Sequence, residues 1–196
     1  IIDSNRPLAI INSKKYNENN KNCYKLNINR TKFIEDAKKL GLYQKKSLTL
    51  RFPNEEQVPD CLIRHFVRGY FDGDGSIYFT KISAGYIKPQ ICILGTQALL
   101  SALRDEFTGR QIKSYINAEY RAKRIWELHI GAMNSIVRFR EWIYAGATVF
   151  LPRKKERLDS VCAPRPCIHC GTIFTPDRPR GHLCSKACYQ RWYRSK

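Results

Sequence analysis

Two aspartates, Asp72 and Asp74, stand among three glycines in the stretch "HFVRGYFDGDGSIYF", His65 to Phe79. Ahead of them Val58, Leu62, Ile63, Phe66, Val67 and Tyr70 recur at spacings of three and four, the mark of one helical face. A helix C-terminus carries partial negative charge, so carboxylates there oppose the macrodipole. Gly69, inside the helix, costs about 1 kcal/mol relative to alanine. Both penalties within one turn point to a cation at the helix end and a second helix pressed against the glycine. "DGDGSI" also opens like a calcium loop of the EF-hand kind, but Ile77 falls where that loop needs glycine and Ser83 where it needs glutamate. A plain glycine-rich turn after a core helix would leave the paired aspartates without a purpose.

A second constellation lies near the C-terminus, in "CIHCGTIFTPDRPRGHLCSKACYQRWYR". Cys167-x2-Cys170 is followed after thirteen residues by Cys184-x3-Cys188. Two close pairs on a short polar segment suit a closed tetrahedral Zn²⁺ site. Such a tail buries too little apolar surface to fold alone, so metal binding would supply its folding energy. His169 and His182 are alternative ligands, though four cysteines suffice, and Cys162 lies outside the set. "CSKACYQRWYR" reads as a helix beginning at the second pair, and the whole resembles a small treble-clef-like finger.

Thirty-five Lys and Arg against seventeen Asp and Glu give a net charge of +18 and a pI near 9.8. An excess of that size suits a polyanionic partner, nucleic acid before a merely basic surface. No long basic amphipathic helix suggests an anionic membrane, and no apolar run approaches the roughly 20 residues of a membrane span. Cys23, Cys61 and Cys92 are scattered through apolar segments while four others cluster, which fits a reducing, intracellular compartment such as a bacterial or phage cytoplasm or an organelle. From Pro164 onward the tail carries seven Lys or Arg and one Asp, with Tyr189, Trp192 and Tyr193 interleaved. It suits a second DNA-contacting module or a protein-binding one, hinged at "APRP", Ala163 to Pro166.

The elements that must position these residues follow from periodicity. "CYKLNIN" alternates like a strand, and "RTKFIEDAKKLGL" is an amphipathic helix stopping at Gly41. "YQKKSLTLRFPNEEQVPD" is an extended linker, and the motif helix follows, with Pro59 near its start. "SIYFTKI" and "KPQICIL" form a strand pair, "TQALLSALRDEFTG" a helix, "KSYINAEYRAKR" and "IWELHIG" a second strand pair, and "AMNSIVRFREWIYAG" a helix closing on "ATVFLPRKKERLD". The order from residue 58 is α-β-β-α-β-β-α. Strand, helix and basic cluster at Cys23 to Ser47 echo those from Ile125 to Glu156, about 100 residues on. The expected organisation is therefore 1–56, the rear half of a first repeat; 57–160, a complete repeat; and 161–196, hinge and zinc tail.

"FVRGYFDGDGSI" resembles the signature of LAGLIDADG homing endonucleases, and the element order resembles their domain up to about residue 160. The resemblance implies an α+β fold with a saddle-shaped antiparallel sheet. It implies two motif helices packed side by side through small residues such as Gly69, each ending in an acidic residue facing a scissile phosphate, here Asp74. Asp72 is then structural, and Gly73 and Gly75 let the chain turn away and bring backbone close to Mg²⁺ and DNA. A basic residue closing each repeat falls on Lys154 and, for the earlier copy, Lys46, either catalytic or a phosphate contact. Strand residues Tyr78, Thr80, Lys88, Gln90, Arg121 and Lys123 are candidates for the face lying in the major groove of double-stranded DNA, or for ordinary solvated positions.

The expected activity is a metal-dependent double-strand break in a long specific site, by an intron-encoded, intein-derived or free-standing enzyme. The alternative is a non-cutting nucleic-acid binder of the same fold, an RNA maturase or a regulator. A complete intein is not expected, because "RWYRSK" lacks the His-Asn pair of a splice junction. One motif helix per chain calls for a second, so the expectation is a pseudo-symmetric monomer within a longer chain, ahead of a homodimer. If about six phosphates are neutralised, log K for DNA against log salt should fall with a slope of about −5. Titration by fluorescence anisotropy between low and moderate salt measures it, and a flat response would remove nucleic acid as the partner.

Overall fold

The computed structural model describes residues 9–11, 23–25, 27–28, 30–44, 46–81, 87–118, 125–175 and 182–195. The chain divides into two compact units, Ile1–Tyr43 and Gln44–Lys196. In the first, β1 (Ala9–Ile11) pairs antiparallel with β2 (Cys23–Lys25), and α1 (Thr31–Lys39) follows. Gly41, where the helix is expected to stop, has φ 81°, a left-handed conformation that glycine adopts without steric cost. The order β-β-α is also that of the rear of the second unit's repeat.

The second unit begins with a single 3-10 turn, Lys46–Leu48, and an extended run into α2 (Asp60–Asp74). Then come β3 (Gly75–Lys81), β4 (Ile87–Gly95), α3 (Gln97–Gly109), β5 (Tyr115–Ala118), β6 (Trp126–Ile130) and α4 (Met133–Tyr144). The expected α-β-β-α-β-β-α order is present. One element is added: the closing stretch read without structure forms α5 (Pro152–Cys162). Proline suits the first turn of a helix, and Leu158, Val161 and Cys162, three to four residues apart, bury one face of it. The tail carries a two-residue pair, β7 (Arg165–Pro166) with β8 (Ile173–Phe174), and α6 (Lys186–Arg194). Among the described residues no helix is long and apolar enough to cross a membrane.

The four strands run antiparallel in the order β3-β4-β6-β5. Alternation sends Ile77, Ile91, Ile93, Leu128 and Ile130 to the inner face, where they are buried. Against them pack Ile63, Val67 and Phe71 of α2, Leu99, Leu100, Leu103 and Phe107 of α3, and Ile136, Phe139 and Ile143 of α4. Phe139 takes both Phe71 and Phe107 edge-on, with centroids 5.1 and 5.5 Å away. Pro89 sits beyond the β4–β6 ladder, which spans only Ile91 to Gly95 on β4, so its missing N–H leaves no gap there. The linker ahead of α2 belongs to this core: Leu50, Phe52 and Val58 pack on it, and the Thr96 hydroxyl, the N-cap of α3, donates to the Leu50 carbonyl at 2.5 Å.

The junction between α2 and β3 has no loop. The helix runs through Gly73 to Asp74, and Gly75 opens the strand with φ −77° and ψ 155°, ordinary extended backbone. The expected glycine turn is thus corrected: Gly75 is demanded by space. A Cβ there would lie 2.1 Å from Phe71 Cδ2 and 2.6 Å from the Phe71 carbonyl oxygen, whereas one on Gly73 meets nothing within 4 Å. Gly75→Ala should therefore cost about 1–3 kcal/mol through overpacking, while Gly73→Ala should leave stability unchanged or raise it by up to about 1 kcal/mol. Thermal melts of the two variants check the contrast, and equal melting temperatures would refute it.

Candidate functional site

The end of α2 is held by a cation, and it comes from the chain itself. Pro152 starts α5 so that Lys154 points under the helix end, where it is buried. Its Nζ donates to the carbonyls of Phe71 at 2.6 Å, Gly75 at 2.5 Å and Gly73 at 3.4 Å. Three N–H groups meet three carbonyls, so the ammonium is fully used where the helix leaves its last carbonyls unpaired and its dipole is negative. Burial pushes the Lys154 pKa below its ordinary value and Arg153 pushes the same way, while Asp72 and Asp74 pull it back.

The two aspartates divide. Asp72 accepts from the Tyr144 hydroxyl at 2.7 Å and from the Leu151 N–H at 2.8 Å, joining α2 to the end of α4 and the start of α5. Burial, then this bond, drives the Tyr144 hydroxyl pKa far upward. Arg68 reinforces the same joint, donating to the carbonyls of Ile143 at 3.0 Å and Val149 at 2.9 Å. Asp74 is exposed, with no hydrogen-bond or ion-pair partner among the described residues. Its charge is felt by Tyr70, whose pKa rises to about 12, chiefly through burial and secondarily through Asp74. The Tyr70 hydroxyl itself donates to the Leu94 carbonyl at 2.7 Å.

These donors fit part of a hard cation's shell. Mg²⁺ takes one or two carboxylates and keeps several waters, and Asp74 offers one exposed carboxylate. Among the described residues Asp74 belongs to no cluster of three metal-ligating side chains. The Gly73 carbonyl, expected beside Asp74 as a ligand, has Lys154 on one side. The side chain of Lys46, the other basic candidate, lies outside the described residues. On the open side of α2, Leu62 is 47% exposed, Gly69 is exposed, and a Cβ on Gly69 would meet nothing within 4 Å.

The outer face of the sheet collects four of the six strand candidates. Register places Tyr78 opposite Gln90 and Thr80 opposite Lys88 on one face. They form a wired surface: Thr80 Oγ1 donates to Gln90 Oε1 at 3.4 Å, Gln90 Nε2 donates to the Tyr115 hydroxyl at 2.5 Å, and the Tyr78 hydroxyl lies 3.2 Å from His129 Nδ1. The Lys88 ammonium sits over Gly131, where a Cβ would come within 3.0 Å of it. Arg121 and Lys123 lie outside the described residues.

In the tail, the Sγ atoms of Cys167, Cys170, Cys184 and Cys188 all lie within 4.8 Å of one another. Cys184 is 3.6 Å from Cys170 and 3.5 Å from Cys188. Tetrahedral zinc with bonds of about 2.3 Å needs sulfurs about 3.8 Å apart, and a disulfide needs about 2.05 Å. The donor set therefore fits zinc. Burial raises the Cys167 thiol pKa, but backbone N–H groups of Cys170, Cys184 and His169 outweigh it and bring the value down to about 6. Hydrogen bonds with the sulfurs of Cys188 and then Cys170 push the Cys184 thiol up, to about 12. Ser185 caps α6 by accepting from the Cys188 N–H at 3.1 Å, which fixes the second cysteine pair.

Neither a family profile nor a curated protein sequence matches the chain. Solved homing endonucleases are similar to it. An archaeal intron-encoded homing endonuclease complexed with DNA aligns at 12% identity over 52% of this chain and 67% of its own, with a TM-score of 0.43. The LAGLIDADG meganuclease I-AabMI, bound to uncleaved DNA, aligns at 14% identity over 50% of this chain and 35% of its own, TM-score 0.41. The group I intron-encoded I-CeuI, complexed with DNA, aligns at 13% identity over 65% of this chain and 59% of its own, TM-score 0.39.

Sequence reasoning missed the partners that tie this site together. Tyr144 and Leu151 reach Asp72 of α2, and Arg68 of α2 reaches the carbonyls of Ile143 and Val149, across 72 to 81 residues of chain. Only the buried-face spacing of "PRKKERLDSVC" could have shown that Lys154 turns inward. Hydrogen bonds to a charged group contribute roughly 1.5–3 kcal/mol. Asp72→Asn should accordingly lose about 2 kcal/mol in urea denaturation, while the same change at Asp74 leaves the midpoint within experimental scatter. Equal midpoints for both variants would refute this division of roles.

Proposed function

We propose that the chain is a site-specific DNA endonuclease of the homing type that hydrolyses phosphodiester bonds with Mg²⁺ held at Asp74. The observation that carries this reading is the division of the two aspartates. Asp72 is consumed by Tyr144 and Leu151, while Asp74 stands exposed on a helix end braced by Lys154. A binding module gains nothing from an unpaired carboxylate aimed at a polyanion. A divalent cation bound there supplies Lewis acidity toward the phosphate and activates water.

The chain's own residues then take distinct parts. Asp74 supplies the metal-binding carboxylate. Lys154 is a positioning residue that locks the carbonyls around Asp74 and keeps a positive charge beneath the site. Tyr78, Thr80, Lys88 and Gln90 present hydrogen-bonding groups from one face of the β3–β4 pair, and a two-stranded ribbon is an element the major groove admits. The open face of α2, with Leu62 and Gly69, takes a second motif helix that delivers the second carboxylate needed for a double-strand break. The four tail cysteines hold one structural zinc, and α6, with Lys186, Arg191 and Arg194 beside the stacked Tyr189 and Tyr193, adds a basic aromatic surface for DNA.

Asp74→Asn should abolish Mg²⁺-dependent cleavage while DNA affinity stays within a few-fold of the parent or improves, because a transition-state group is lost without losing ground-state binding. Nicking assays on supercoiled DNA carrying the cognate site, paired with gel-shift titrations, measure both. Full cleavage by the variant would overturn the assignment.

A further inference from the structure

We propose that Cys92, Glu127 and His129 form a second transition-metal site, of the Zn²⁺ type, on the outer face of the sheet. This site is independent of the nuclease reading and of the cysteine tail. The topology builds it. Antiparallel register sets Cys92 of β4 directly opposite His129 of β6, and Glu127, two residues earlier on β6, shares their face. The sulfur, an imidazole nitrogen and a carboxylate oxygen all lie within 4.8 Å of one another.

Two details separate this trio from an ordinary strand surface. First, Cys92 and His129 are only 7% and 5% exposed although they belong to the outward face. Second, His129 is oriented from three sides. The Tyr115 ring stacks on it at 5.1 Å, the Tyr78 hydroxyl lies 3.2 Å from Nδ1, and Nε2 faces Glu127 Oε2 at 2.8 Å. A metal-binding imidazole is characteristically held this way, its far nitrogen engaged by an outer polar group and its near nitrogen directed at the other ligands.

The chemistry of the donors selects the ion. Thiolate, imidazole and carboxylate together favour zinc and its neighbours over Mg²⁺ or Ca²⁺, which take oxygen donors. Three protein ligands leave a fourth tetrahedral position open for water or an incoming nitrogen or oxygen donor. The proton balance is simple. Without metal, Nε2 shares a hydrogen bond with Glu127 Oε2 at 2.8 Å; on metal binding the imidazole would hold its one proton on Nδ1, toward the Tyr78 oxygen, so that the Nε2 lone pair meets the metal. Cys92 releases its thiol proton to solvent, and one proton leaves per ion bound.

The test uses the full chain, stripped of metal and reconstituted under reducing conditions with Zn²⁺, read by elemental analysis and by competition with a chromophoric chelator. The expected result is two zinc ions per chain, the tighter at the tail. Cys92→Ser and Glu127→Gln should each remove the weaker ion, lowering its affinity at least tenfold, with the circular dichroism spectrum and the tail zinc unchanged. Cys170→Ser should remove the tail ion alone. Tyr78→Phe should keep two ions and weaken the outer one about tenfold through the loss of the imidazole's hydrogen-bond partner. With Co²⁺, the Cys92→Ser difference spectrum should carry a single-thiolate charge-transfer band. One zinc per chain that Cys92→Ser leaves in place, or two that persist in both Cys92→Ser and Glu127→Gln, would overturn the proposal.

Discussion

Everything near the motif depends on one buried ammonium. Lys154 reaches from the first turn of α5 to the last carbonyls of α2 and the first of β3, where a helix end would otherwise leave acceptors unpaired beside two carboxylates. Placing like charges at the negative end of a helix is unfavourable by itself. It becomes tolerable because a positive charge sits beneath them in a site of low dielectric, where its attraction is stronger than in water. The cation implied by "FDGDG" is therefore, at least in part, a side chain eighty residues away. Burial and hydrogen bonding commit that ammonium to the backbone, which is why positioning suits it better than direct contact with a phosphate.

The acidic pair places two carboxylates of one short motif in different surroundings. Asp72 and Asp74 differ by two residues, about 200° around a helix, so one turns toward α4 and α5 while the other turns to solvent. The Tyr144 hydroxyl and the Leu151 N–H meet Asp72 on the inward side. The outward side has none of these partners. One aspartate is thus committed to the fold and the other is left to solvent.

The elements carrying a strong period were legible in the sequence. α2, α3 and α4 announce themselves by apolar residues three and four apart, and the strands by alternation with β-branched and aromatic residues. α5 was not, because its basic residues hide a narrow apolar stripe of Leu158, Val161 and Cys162. The tail cysteines were legible because their spacing is local. Cys92, Glu127 and His129 were not, because their meeting depends on which residue of β4 faces which residue of β6, and a shift of one would send them to opposite faces. For the same reason the Gln90–Tyr115 and Tyr78–His129 contacts could not be read from strands taken singly.

The absence of any loop between Asp74 and Gly75 has a mechanical consequence. A helix that becomes a strand within one peptide bond, with Phe71 filling the inside of the corner and Lys154 bonded to both sides of it, has no hinge. The carboxylate and the sheet surface are two faces of one lever, and tilting either tilts the other. A ligand engaging both must therefore supply the bend itself, and the stiffness of that ligand enters directly into how well it is accepted.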